Sequence, residues 1–180
     1  MVKRIITTII LFTIFYNNSE AQLFNLGIGL EPYVTSTDHY VWNHNLGVNY
    51  YIDAIIIPIP KIEFETRFGF AFPNDLFSGY SISLFFKFFP FNKFYFTVGH
   101  KWHWNFSSSH NSGGLVGGLY KLPAIGLGYK YKNFYIESLY YKPNRKNLEY
   151  YYSYLTSTIV YPRDFKSVIS INFIVSWSIL

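Results

Sequence analysis

From Ile169 to Ile179 the chain alternates between an apolar side and a mostly small, polar one. Ile169, Ile171, Phe173, Val175, Trp177 and Ile179 fall on one side, and Ser170, Asn172, Ile174, Ser176 and Ser178 on the other. Successive side chains of a strand point to opposite faces, so this is a strand between an apolar environment and one that favours small polar groups. The same period of two recurs upstream. Phe24–Tyr33 opposes Phe24, Leu26, Ile28 and Leu30 to Asn25, Gly27, Gly29 and Glu31. Trp42–Asp53 opposes Trp42, Leu46, Val48, Tyr50 and Ile52 to Asn43, Asn45, Gly47, Asn49, Tyr51 and Asp53, with His44 out of pattern. A third strand places Ile62, Phe64, Thr66, Phe68, Phe70 and Phe72 on one face and Lys61, Glu63, Glu65 and Arg67 on the other. Tyr80–Phe89, Phe94–Trp104, a segment ending in Ile125–Tyr131, and Phe134–Tyr141 continue the alternation.

Eight such segments predict an all-β fold, a transmembrane antiparallel up-and-down β-barrel of eight strands. Leu148–Val160 also has β-propensity; it raises the count to ten if it adds a pair, or else extends the last strands beyond the membrane. The connections Pro90–Lys93 and Lys132–Asn133 are short, whereas Asn105–Gly114 and Pro143–Asp164 are long. Short turns at the periplasm and long loops outside are the outer-membrane asymmetry. The apolar stretch at Pro58-Ile59-Pro60 reads as one further, longer connection.

Met1–Ala21 reads as a signal peptide. Lys3 and Arg4 form a basic start, Ile5–Phe15 an apolar run too short to span a bilayer, and Ser19-Glu20-Ala21 a small-residue cleavage site. The mature chain, residues 22–180, is then a single barrel domain. Without Lys3, Arg4 and Glu20 it keeps 13 basic and 9 acidic residues, net +4, with no clustered basic helix, which argues against nucleic acid as a partner. The chain has no cysteine, so disulfides, thiol catalysis and an N-terminal lipid anchor on cysteine are excluded.

Aromatic residues make up 23% and charged residues 14% of the chain, a balance suited to a surface facing lipid rather than water. A soluble barrel would show the same alternation with the apolar face inward, but its outer face would then need Lys and Glu. Here the polar face is mostly Gly, Asn and Ser, which suits the crowded interior of a narrow barrel. Lys61, Glu63, Glu65 and Arg67 are therefore expected in an interior charge network with Glu31, Asp53, Lys87, Lys101, Lys130 or Glu137. Phe88, Phe89, Phe91, Phe94, Trp102, Trp104, Tyr129, Tyr131 and Phe134 near strand ends read as interfacial girdles.

Through this pattern the mature chain resembles the small outer-membrane barrels of the OmpA and OmpX type. The resemblance implies a monomer in the outer membrane of a Gram-negative bacterium, in contact with its lipids and lipopolysaccharide. It also implies folding by the barrel-insertion machinery, which usually reads a terminal aromatic residue. The apolar register here ends at Ile179, and Trp177 is the nearest aromatic. Eight strands leave an interior filled by side chains, so a structural or surface-interaction role without an open pore is expected.

The alternative is a lipid A acyl hydrolase. His110-Asn111-Ser112 resembles the first three positions of the His-x-Ser-Asn motif of lipid A deacylase barrels, giving His110 and Ser112 as catalytic candidates; the fourth position is Gly113 and no acid follows before Glu137. A His–Ser pair without an orienting carboxylate lacks the group that fixes its tautomer, unless Asp38 supplies it. The stretch Ser107–Gly114 also reads as a plain polar loop. A palmitoyltransferase-like arrangement would use His39, but Asp75 and Ser78 are not adjacent. His100 and His103 point to opposite faces of one strand and make no metal pair. No Gly-rich phosphate loop, calcium loop or HExxH motif is present, so no cofactor and no metal are implied. In the last loop Lys142, Arg145, Lys146, Arg163 and Lys166 surround a run of tyrosines and are candidates for contact with lipopolysaccharide phosphates, or else form a solvated loop.

Overall fold

The computed structural model describes residues 24–37, 45–72, 78–106, 108–110, 113–115, 118–144, 147–153 and 158–179. The signal-peptide segment lies outside them. The elements are β1 (Phe24–Thr37), β2 (Asn45–Ile59), β3 (Ile62–Ala71), β4 (Gly79–Phe88), β5 (Phe94–Asn105), β6 (Ser108–His110), β7 (Gly113–Leu115), β8 (Gly118–Tyr131), β9 (Phe134–Tyr141), β10 (Asn147–Ser153) and β11 (Thr158–Ser178). Eight of them form an antiparallel ring in the order β1-β2-β3-β4-β5-β8-β9-β11, and β1 closes it on β11 from Asn25–Ser178 to Thr37–Phe165. Closure leaves no free edge, so the ladder satisfies the backbone groups that lipid cannot.

The remaining strands lie past the long-loop end of the ring. β6 pairs with β7, β7 with β10, and β10 with the first residues of β11. Of Leu148–Val160, residues 148–153 lie in β10 and 158–160 at the start of β11, so its described part pairs beyond the ring and adds no pair to the wall. Around Pro58 the expected connection is strand instead: β2 runs on to Ile59, and Pro60-Lys61 makes the turn. A register shift between Ile56 and Ile59 accommodates it, because proline cannot donate to a ladder and is tolerated at such irregularities.

The wall is inside-out. Ile28, Ile52, Phe68, Phe96, Ile125, Leu127 and Ile169 stand exposed on its outer side, while Glu31, Glu65, Arg67, Lys87, Lys101 and Glu137 are buried within. Two ring-rich clusters cap the charges inside. Tyr33, Tyr120, Tyr141 and Phe165 lie toward the long loops, and Tyr51, Phe89, Tyr95 and Tyr135 toward the short turns. Room for these rings comes from glycine directly across the ladder: Gly29 faces Tyr51, Gly99 faces Phe85 and Gly128 faces Tyr95. A methyl group on any of the three would overlap its partner's ring.

Candidate functional site: the sealed lumen and the lysine rims

Arg67 on β3 is the hub of the interior. Its guanidinium donates to Glu65 at 2.7 Å, to Glu137 on β9, and to Asn172 Oδ1 on β11 at 3.1 Å. It lies over the rings of Tyr51 and Phe85, at 4.9 and 4.5 Å from their centroids. Lys87 on β4 reaches Glu65 at 3.0 Å, and Thr97 on β5 donates to Glu137. Nearer the long loops, Lys101 on β5 pairs with Glu31 on β1 at 2.7 Å, and Glu31 also accepts from Asn49 on β2 and Tyr141 on β9. Nearer the short turns, Lys130 on β8 pairs with Glu63 on β3 at 2.6 Å.

All eight strands of the ring contribute to these three clusters. Arg67–Glu137 joins β3 to β9 and Lys101–Glu31 joins β5 to β1, and in each case the two strands stand four places apart in a ring of eight. Both pairs therefore cross the full width of the lumen. The lysines of these clusters also rest on aromatic rings: buried Lys87 on Tyr95 and Tyr135, buried Lys101 on Tyr141, and half-buried Lys130 on Phe89 and Tyr135. Charges held this way compensate one another where water is scarce, and they occlude the passage.

Of the four residues expected in the network, Glu63, Glu65 and Arg67 are buried in it. Lys61 is not: it sits exposed in the β2–β3 turn with φ at 82°. Its parity with Glu63 pointed inward, but the turn intervenes and carries it outward. Asp53 is buried against Gly27 on the inner face. His103 faces the interior beside Asn105, while His100 belongs to the outer face and stacks near Trp102.

At the long-loop rim, Lys142 and Lys166 are both exposed. The Lys142 N–H donates to the Pro123 carbonyl at 3.0 Å, fixing it one place beyond β9. Lys166 sits where the β1–β11 register shifts. Lys121 joins them. It pairs with Trp102 across the ladder, is exposed, and exchanges hydrogen bonds with Asn144. Lys121 precedes the alternation at Ile125–Tyr131 from which this strand is legible, yet Leu119, Lys121, Pro123 and Ile125 share one outward register. Arg145 and Lys146 lie outside the described residues, as does the side chain of Arg163, whose backbone pairs with Glu149. His110 ends β6 opposite Gly113. Its side chain and Ser112 lie outside the described residues, as do Asp38, His39 and Asp75.

An antiparallel ring of eight strands, apolar outside and charged and closed inside, is a transmembrane β-barrel. No family model matches the chain, and no curated protein matches it. Among solved structures it is similar to the N-terminal β-barrel domain of Pseudomonas aeruginosa OprF, at 13% identity over 82% of this chain and 96% of that one, with a TM-score of 0.43. It is also similar to Ail, the attachment invasion locus protein of Yersinia pestis, solved with the heparin analogue sucrose octasulfate (12% identity, 86% and 97% covered, TM-score 0.45). Neisserial surface protein A is a third (14% identity, 84% and 96% covered, TM-score 0.40). The barrel assignment itself rests on this chain's own ladder and on the distribution of its side chains.

Proposed function

We propose that the protein is a monomeric outer-membrane barrel of a Gram-negative bacterium, exported by its N-terminal signal peptide and folded by the barrel-insertion machinery. It has a structural or surface-interaction role and no open pore. The observation that supports this most directly is the pair of ion bridges across the lumen, Arg67–Glu137 and Lys101–Glu31, between the two aromatic clusters. A passage so filled does not conduct, so activity belongs to the outer wall and the loops. The exposure of Lys121, Lys142 and Lys166, on or just beyond three neighbouring strands at the long-loop rim, supports them as the contacts for lipopolysaccharide phosphates.

The test uses the full mature chain. It should fractionate with outer membranes, migrate differently on gels before and after heating, and give no steady conductance in planar bilayers. Lipopolysaccharide should raise its unfolding temperature, and Lys121→Gln, Lys142→Gln and Lys166→Gln together should abolish that rise. Stable open channels would overturn the sealed barrel. A loss of lipid A acyl mass that disappears with His110→Ala would replace the structural role with an enzyme.

A further inference from the structure

The short-turn rim has a charge pattern that the sealed lumen does not require. Glu31, Asp53, Glu63, Glu65 and Glu137, the carboxylates whose side chains are described, are all buried inside the barrel. Lysines whose side chains are exposed stand at every turn of the short-turn end that is described: Lys61 between β2 and β3, Lys93 between β4 and β5, and Lys132 between β8 and β9. The outside of this rim, among the described residues, is thus cationic with no acid beside it.

The backbone adds an independent observation. Among the described residues, the non-glycine positions with positive φ are Lys61 at 82° and Lys132 at 53°, both lysines of this rim. Glycine or asparagine is the ordinary occupant of that conformation, and a long β-carbon-bearing side chain there is disfavoured. Turn chemistry alone does not call for lysine at either place, so a demand for charge is the simplest reason for it.

The turns are also anchored. Phe89 N–H bonds the Lys61 carbonyl at 2.9 Å, Lys130 N–H the Lys93 carbonyl at 2.7 Å, and Ser176 N–H the Asn133 carbonyl at 2.8 Å. Tyr131, 52% exposed on the outer wall, has Lys93 Nζ at 5.4 Å and Lys132 Nζ at 5.7 Å from its ring centroid. Phe91 and Phe94, which flank Lys93 in the chain, also stand exposed, and Phe94 pairs with Tyr129 across the ladder. Aromatic rings of this kind lie at the level of lipid headgroups, and the two ammonium groups beside Tyr131 then lie at the level of the phosphates.

We infer that Lys61, Lys93 and Lys132, with Tyr131 between the last two, form a binding surface for the headgroups of anionic phospholipids in the leaflet next to the short turns. The inference rests on the membrane-barrel reading above. Ammonium groups near a membrane surface attract acidic lipids electrostatically, and fixed turns spare the surface the cost of ordering them.

The full mature chain would be folded into nanodiscs of phosphatidylcholine alone and of phosphatidylcholine with one-third phosphatidylglycerol, and the retained lipids counted by native mass spectrometry. The wild type should retain phosphatidylglycerol in excess of its bulk share. The triple variant Lys61→Asn, Lys93→Gln, Lys132→Asn keeps residues suited to the two left-handed positions, so it should fold equally well. Its preference should fall by about fivefold per lysine removed, while the triple arginine variant should retain the preference. Equal retention of both lipids by the wild type, or an unchanged preference in the neutralised variant, would overturn the inference. So would capture of a soluble acidic peptide by this rim without lipid preference. Failure of the wild type to fold in phosphatidylcholine alone is a different result and would strike the barrel reading itself.

Discussion

The inner and outer faces of the barrel come from the same strands, often from consecutive residues, yet they solve opposite problems. On β3 Arg67 is buried among carboxylates while Phe68 stands exposed; on β8 Ala124 is buried while Ile125 is 62% exposed. The interior of a ring of eight strands is just wide enough for side chains to fill, and here its centre is charged between two ring-rich clusters. Cohesion inside therefore comes from cross-lumen ion pairs and from rings fitted over glycine, and cohesion outside from contact with lipid. What would count as a buried-charge defect in a soluble domain is here the central layer of the structure.

The sharpest way to break that layer is Arg67→Met. It removes the cation between Glu65 and Glu137, leaving Glu65 to Lys87 and Glu137 with the Thr97 hydroxyl but no cation. Stranding one side of a buried pair typically costs about 3–5 kcal/mol, and that loss should appear in urea unfolding of the barrel in lipid vesicles. A double replacement, Arg67→Met with Glu137→Gln, should recover part of it. If the single variant is as stable as the wild type, the network is decoration rather than structure.

The outer face gives the complementary test. Ile125 pairs with Val98 and Tyr140 near the middle of β8, all on the outer side. Ile125→Lys should cost about 2–4 kcal/mol by the same measurement in vesicles, because the lysine would stand in hydrocarbon at mid-depth. In detergent micelles, which deform around the charge, the cost should shrink. A substitution without effect in both media would mean that this face does not meet lipid.

The alternation alone makes most of this fold legible. β3, β4, β5 and β9 begin and end within one or two residues of their expected bounds, since each is a clean period-two run punctuated by turn residues. The failures have local causes. Pro58 concealed the end of β2, because a proline inside a strand reads as a break unless a register shift absorbs it. Lys61 shares the parity of Glu63, which points inward, but parity is lost at a turn and Lys61 is exposed. Lys121 is hidden in the sequence because Gly118–Ala124 contains a proline and has apolar residues on both faces, Leu119 outward and Tyr120 and Leu122 inward, so polarity does not mark the register. The particular partners inside were not readable at all. That Lys101 meets Glu31 rather than Glu137 depends on the stagger of the strands around the ring, which no single strand encodes.

A gentler probe of the interior is the fit between ring and glycine. Gly29→Ala would push a methyl group into the ring of Tyr51, which itself bonds Asn172 in the central network. Overpacking of this kind usually costs about 1–3 kcal/mol. Tyr51→Leu combined with Gly29→Ala should be more stable than the two separate losses predict, because the smaller side chain vacates the space the methyl group needs. Full additivity in that double-mutant cycle would show that the two residues do not compete for space.

The smallest effect belongs to the rim, where neither face rules. Lys132→Asn exchanges a lysine in the left-handed region for a residue that tolerates it, so the barrel should gain a few tenths of a kcal/mol up to about 1 kcal/mol in neutral lipid. The sign is the informative part. Inside the barrel, removing a positive charge destabilises because carboxylates wait for it; on the outer wall, adding one destabilises because hydrocarbon surrounds it. At Lys132 removal should stabilise in neutral lipid, and this gain should shrink in bilayers rich in anionic headgroups, where the lost attraction offsets the relieved backbone. An identical gain in both bilayers would mean that the lysine answers to the turn alone.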